Sequence, residues 1–264
     1  MSRISATFER LRQKKEKALI PFITAGYPDL GTTRRLIFQF EQCGADLLEL
    51  GVPFSDPMAD GPVIQHASEI ALARGTSLER ILGLVKTVRR KSSIPVILMG
   101  YYNPFFKFGL KAFTRAAKEA GVDGLLIVDL PPEEAVEMKM HTDRAGLDLI
   151  FLLAPTSGPE RINSIVKHAS GFIYYVSLTG VTGVRSTLDR TIRNQLETIR
   201  MKSPLSIGVG FGISTREHSK TVSQWADAVV VGSALIKIIS GSTSKARAVQ
   251  NAGRFIRALK TAMR

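Results

Sequence analysis

The sequence predicts an α/β fold: a closed (β/α)8 barrel of the TIM type, with extra helices and long loops after strands 2 and 6. Three observations carry this. Eight short apolar runs recur along the chain, mostly continuous rather than alternating, as parallel strands covered on both faces should be. Between them lie stretches with apolar residues at helical spacing, so strand and helix alternate throughout. The length, 264 residues, suits one such barrel, and a single domain over 1–264 is expected.

The first strand, Ala18–Thr24, is followed by a helix over Thr32–Cys43 with Leu36, Ile37, Phe40 and Cys43 on one face. The second, Asp46–Gly51, leads into an unusually long connection, Pro53–Gly75. A helix over Leu78–Lys91 then carries Ile81, Leu82, Val85 and Val88, with Ser77 as its start signal. The third strand, Pro95–Gly100, pairs with a helix over Leu110–Ala120. The fourth, Gly124–Asp129, pairs with one over Pro132–Ala145, reached through Pro131-Pro132-Glu133-Glu134. Asp148–Ala154 and Pro159–His168 form the fifth unit. The sixth strand, Gly171–Ser177, precedes a second long connection, Thr179–Thr187, and a helix over Leu188–Arg200. Ser206–Gly210 is the seventh strand; Ser214 and Glu217 read as a capping box for a helix over Thr215–Gln224. The eighth, Asp227–Gly232, runs into a helix opened by Ser233. Lys245–Met263 is amphipathic through Val249, Ala252, Phe255, Ile256 and Leu259, and should close the outside.

Composition narrows the function. With 44% hydrophobic and 22% charged residues the chain is neither disordered nor of low complexity. Its single cysteine, Cys43, excludes an internal disulfide framework, and four scattered histidines show no ligand spacing, so no metal is expected. The early apolar run Ala18–Ala25 is broken by Pro21 and too short for a signal peptide or a membrane span. A soluble, cytoplasmic protein without a membrane partner is expected. The net charge of +13 is unusual, and seven basic residues with no acid follow Asp227. These charges lack interleaved aromatics for base stacking and read as a solvated surface, without a nucleic-acid partner.

In barrels of this kind chemistry gathers beyond the C-terminal strand ends. The second strand ends Leu47-Leu48-Glu49-Leu50-Gly51. A carboxylate among leucines is costly without a task or a partner. If Leu48 and Leu50 face the helices, Glu49 points into the barrel mouth; the plainer reading is a local salt bridge. Asp56, Pro57 and Asp60 follow in the next connection, where Asp60 reads either as a second functional carboxylate or as a turn or helix cap before Pro62. Glycine clusters after the last three strands, Gly180–Gly183, Gly208–Gly212 and Gly232-Ser233, would let backbone N–H groups approach a phosphate, with Ser233 opening a helix. Phe22, Tyr101, Tyr174 and Phe211 recur at strand ends and suggest a pocket for a flat apolar substrate.

In order, Pro21–Pro28, Glu49–Gln65, Gly100–Pro104, Asp129–Pro131, Gly180–Gly183, Gly210–Ser214 and Gly232–Ala234 closely resemble the tryptophan synthase alpha chain family over essentially the whole length. The resemblance implies a lyase cleaving indole-3-glycerol phosphate to indole and glyceraldehyde 3-phosphate. It places the catalytic acid/base on Glu49 and the group holding the indole N–H on Asp60. It places Phe22, Tyr101, Leu126, Tyr174 and Phe211 around the indole and glycerol, Gly183, Gly212, Gly232 and Ser233 at the phosphate, and Thr182 in a loop that meets the aspartate on closure. It also implies an α2β2 heterotetramer in which Asp56 and Pro57 contact the beta subunit, and in which pyridoxal phosphate belongs to that partner, leaving this chain without a cofactor. Rival readings are another phosphate-binding barrel enzyme, for which a strand-end lysine or cysteine is missing, and a non-catalytic alpha chain that only activates its partner.

Overall fold

The computed structural model describes the backbone of residues 1–176, 185–210 and 212–264, and the side chains of all these but 185–191. Eight parallel strands close in sequence order: β1 (Ala18–Thr24), β2 (Leu48–Gly51), β3 (Val96–Gly100), β4 (Gly124–Ile127), β5 (Asp148–Leu153), β6 (Phe172–Val176), β7 (Ser206–Gly210) and β8 (Ala228–Val231), with β8 returning to pair with β1. Around them run α1 (Arg3–Gln13), α2 (Leu30–Gln42), α3 (Pro62–Ala73), α4 (Leu78–Arg89), α5 (Tyr102–Phe108), α6 (Leu110–Ala120), α7 (Val136–Ala145), α8 (Pro159–His168), α9 (Arg185–Lys202), α10 (Arg216–Ser223), α11 (Ser233–Ser240) and α12 (Lys245–Ala262).

Strand alternation sorts the apolar side chains into two bodies. Leu19, Ile23, Leu48, Leu50, Val96 and Leu98 pack outward against the helices. Ala18, Ile20, Leu47, Ile97, Leu126, Ile150, Phe172 and Tyr174 fill the barrel. The base of that inner core is closed by α1, whose Ile4, Phe8 and Leu11 recur at i, i+4, i+7 and enter it, Phe8 lying 5.6 Å from the Phe172 ring. On β7 the inward positions are Gly208 and Gly210. A Cβ on Gly208 would come within 3.0 Å of the Phe172 ring, and one on Gly210 within 2.8 Å of Tyr174 Cζ. The glycines of β7 thus make room for the aromatics of β6.

Below the barrel a device repeats four times. The residue two or fewer places before each even strand accepts, through its side chain, the N–H near the start of the preceding odd strand, while its own N–H donates to that residue's carbonyl. Asp46 does this for Leu19 (2.9 and 3.0 Å), Asp123 for Val96 (2.8 and 2.9 Å), Ser170 for Leu149 (2.8 and 3.0 Å) and Asp227 for Ile207 (3.0 and 2.9 Å). Two of these carboxylates hold buried cations as well. Asp46 bonds Lys260 Nζ at 2.7 Å, tying α12 to the barrel floor, and Asp123 bonds the largely buried Arg89 at 2.6 Å and also the half-exposed Arg3 at 2.7 Å.

Several sequence expectations need correction. The span Pro53–Gly75 is not all loop: Gly61 and Pro62 open α3, and only 53–61 and the turn at Arg74 and Gly75 lie outside it. Asp60 is therefore not the cap of that helix. Around Pro131-Pro132 the chain makes two successive turns, Glu134 N–H to Pro131 O and Ala135 N–H to Pro132 O, so α7 begins only at Val136. The cap of α10 is Thr215, whose hydroxyl accepts the His218 N–H at 3.2 Å; the Ser214–Glu217 box sits one residue too early. Ser77 caps α4 as expected. The short α5, anchored by buried Phe105, has no counterpart in the sequence reading. Of the connection after strand 6, residues 177–184 lie outside the described residues, and α9 already starts at Arg185.

Candidate active site

Glu49 stands on β2 in register with Phe22 of β1 and Ile97 of β3. With Leu48 and Leu50 turned outward, its side chain enters the barrel, as alternation requires. It is fully buried, and neither carboxyl oxygen has a hydrogen-bond partner. No salt bridge among the described residues includes it, so the plainer reading of a local ion pair fails. Burial without compensation disfavours the anion and pushes its pKa from 4.5 up to about 8. At neutral pH Glu49 is a protonated acid buried inside the barrel.

Asp60 stands one residue before the end of the irregular segment after β2. Its N–H bonds Pro57 O at 3.0 Å, and its carbonyl accepts from Gln65 Nε2 of α3 at 2.8 Å, which fixes the backbone. Its half-buried carboxyl is raised by desolvation and lowered by a hydrogen bond from Tyr101, with a net rise. Tyr101 follows β3; its hydroxyl also accepts the Ala59 N–H at 2.9 Å. Burial and the neighbouring Asp60 charge push the Tyr101 phenol up to about 12, so it keeps its proton and donates. Asp60, Tyr101, Phe22, Thr24, Gly51 and Ser68 line one small cavity. A larger groove between α6 and α7 lies on the outer wall, away from both carboxyls.

Phe22 spans the mouth. A Cβ on Gly51 would come within 2.7 Å of its Cζ, and one on Gly232 within 3.2 Å of its Cδ1. Tyr174 approaches from the β6 side; burial first, and then the charge of Glu49, raise its pKa well above the ordinary value. Leu126 is fully buried in the inner core. Across the mouth, Gly232 is the N-cap of α11, and Leu235 and Ile236 donate to its carbonyl. The N–H groups of Ser233 and Ala234 precede those bonds and face out of the helix end, where an anion is favoured. Ser233 is exposed, and Gly212 beyond β7 holds φ +74°, a conformation suited to glycine. Among the described residues no three His, Cys, Asp or Glu side chains stand close enough to share a metal ion.

The family model described as tryptophan synthase alpha chain matches residues 8–264. A tryptophan synthase alpha chain of Citrifermentans bemidjiense is 54% identical over 260 residues, covering 98% of this chain and 97% of its own. That of Geobacter sulfurreducens is 51% identical over 263 residues, covering 100% and 99%. The chain belongs to the tryptophan synthase alpha chain family. Solved structures agree: the alpha subunit from Legionella pneumophila superimposes with a TM-score of 0.92 at 41% identity, covering 100% of this chain and 98% of that one. A tryptophan synthase structure from Mycobacterium tuberculosis gives 0.90 at 33%, covering 100% and 98%. The reaction of the family is the lyase cleavage of indole-3-glycerol phosphate.

The structure brings Glu49, Asp60, Phe22, Tyr101, Leu126 and Tyr174 to one end of the barrel, with Gly212, Gly232 and Ser233 beyond the last two strands. Thr182, Gly183 and Phe211 lie outside the described residues. Of the expected phosphate glycines, Gly208 and Gly210 are strand residues that accommodate β6 rings. Sequence reasoning missed Thr24, whose hydroxyl is buried without a partner, and three large exposed apolar side chains: Met58, Phe106 and Val136. Alternation with Ala18, Ile20 and Phe22 could have found the first. Met58 stands in an irregular segment, Phe106 in the short α5 and Val136 at the first position of α7, places without an amphipathic period, so nothing pointed to these three.

Proposed function

We propose that this chain cleaves indole-3-glycerol phosphate at the barrel mouth, with Glu49 as the acid and base of a retro-aldol step. The single observation behind this is a fully buried carboxyl whose oxygens have no partner and whose pKa is pushed to about 8. Such a group arrives protonated and gives its proton to indole C3, which turns the ring into an electron sink. The bond from C3 to the glycerol carbon then breaks, its electrons returning to the ring. The carboxylate left behind takes the proton of the adjacent glycerol hydroxyl as the aldehyde forms, which restores the acid. Asp60, oriented by Tyr101, holds the indole N–H and balances the positive charge that C3 protonation places on the ring. Phe22, Tyr174 and Leu126 enclose the indole and glycerol portions. No cofactor of its own enters this scheme.

The phosphate belongs at the open end of α11, on Ser233 and Gly232, with Gly212 and Gly183 alongside. Ser233→Glu is expected to weaken glycerol phosphate binding at least about tenfold, because it sets a carboxylate where the helix end favours an anion. Unchanged affinity in titration calorimetry would move the phosphate elsewhere.

An alpha chain implies a beta-subunit partner. We place its docking face beside Asp56 and Pro57, in an α2β2 assembly. Met58 after β2, Phe106 after β3 and Val136 after β4 are 88%, 57% and 68% exposed in three successive units on that side. Pyridoxal phosphate is assigned to the partner, and the cytoplasm to the pair. Among the described residues no helix is long and apolar enough to cross a membrane. Indole release from indole-3-glycerol phosphate, measured for the purified chain with and without a beta subunit, tests the reading. No indole under either condition would leave the chain a non-catalytic activator.

A further inference from the structure

Thr24 closes β1 on the inward side, above Phe22, and is 1% exposed. Its Oγ1 is one of four buried side-chain polar atoms among the described residues without a partner, two of the others being the Glu49 oxygens. Leaving a buried hydroxyl unpaired is costly, and valine would fill the same shape without that cost. The position in register on β2 is Gly51, which puts no side chain into the space beside it. Thr24 and Asp60 line the same cavity, together with Tyr101 and Phe22.

We propose that Thr24 is a positioning residue for Asp60, its hydroxyl donating a hydrogen bond to the Asp60 carboxylate when substrate occupies the site. This rests on Asp60 being the group that holds the indole N–H. A carboxylate has about four acceptor positions on two oxygens. Tyr101 takes one and the indole N–H a second, which leaves room for a third donor. Indole brings one N–H and no acceptor that could use the threonine proton. Among the side chains lining the cavity the carboxylate is the charged acceptor, and so the strongest partner open to the hydroxyl. Three donors around one carboxylate would fix its plane against the ring nitrogen and hold it ionised through C3 protonation.

The test is a double-mutant cycle on indole release by the holoenzyme: wild type, Thr24→Val, Asp60→Asn and the pair, with Thr24→Ser alongside. Thr24→Val is expected to lower kcat/KM about tenfold, the equivalent of one charge-assisted hydrogen bond, with thermal stability kept or raised. Thr24→Ser should restore activity to within about threefold of wild type. In the Asp60→Asn background the valine change should lose less than about twofold more. Wild-type kcat/KM in Thr24→Val, or the same tenfold loss in both backgrounds, overturns the proposal. Asp60→Asn with full turnover would instead overturn the role of Asp60, a separable result. If Thr24→Val loses its melting transition, Thr24→Ala takes its place in the cycle.

Discussion

Glu49→Gln is expected to abolish indole release while making the protein more stable above about pH 5. Removing a general acid–base group typically costs 10²–10⁴-fold, so less than about a hundredth of wild-type turnover should remain. The stability change follows from the raised pKa. The folded group titrates near 8 and the unfolded one near 4.5, so between these values the folded state holds a proton that the unfolded state has released. Wild-type stability is full below about 4.5 and declines as pH rises through the folded pKa, by about 1.4 kcal/mol per unit. The amide has no such dependence and fits the same space. Melting temperatures of the two proteins should diverge between pH 5 and 8 and run parallel beyond. Parallel curves throughout would mean that the carboxyl is ionised when folded; retained turnover above about a tenth would remove Glu49 from the chemistry.

Asp123→Ala is expected to produce the largest loss of stability, about 3 kcal/mol, with the active-site geometry unchanged. Asp123 is 5% exposed and bonds two arginines, one of them the nearly buried Arg89, as well as the Val96 N–H. Deleting one member of a buried pair strands the other charge, which costs more than the pair itself contributes. For a chain of this size that is a fall in Tm of roughly 6–10 °C. The site sits at the opposite strand ends, so kcat and KM at a temperature where the variant is folded should stay within about twofold. A fall in Tm below about 2 °C would show that Arg89 finds other partners, such as the Gly121 and Ile94 carbonyls it already contacts.

The strands were legible because most are short, largely apolar runs rich in β-formers, and Ser206–Gly210 and Ala18–Thr24 agree residue for residue. Boundaries drifted where flanking residues mimic a terminus. Pro131-Pro132 looks like a helix start, yet the chain uses it for turns; Ser214 looks like a cap, yet Thr215 has the geometry. The α3 helix was hidden because its N-cap is glycine without a side-chain bond, and the preceding prolines and aspartates read as loop. Glu49 was legible as an anomaly, an acid among leucines, and alternation gave its direction. Its lack of any partner was not, because this depends on what β1, β3 and β6 place around it. The resemblance named the site residues in advance and alternation gives Thr24 its inward direction, but its unpaired hydroxyl and the role of Gly210 under Tyr174 emerge only when neighbouring strands are set in register.

The plug formed by Ile4, Phe8 and Leu11 of α1 has a consequence for traffic. A barrel stoppered at its base has one door. Substrate arrives through the mouth, and both products leave by the same opening, so whatever covers that opening governs the order in which they go. The aldehyde carries a phosphate and is drawn to water; indole is apolar and small. The docking face we propose, beside Asp56 and Pro57, lies on the same segment as Asp60, so a partner seated there would meet the indole before solvent does.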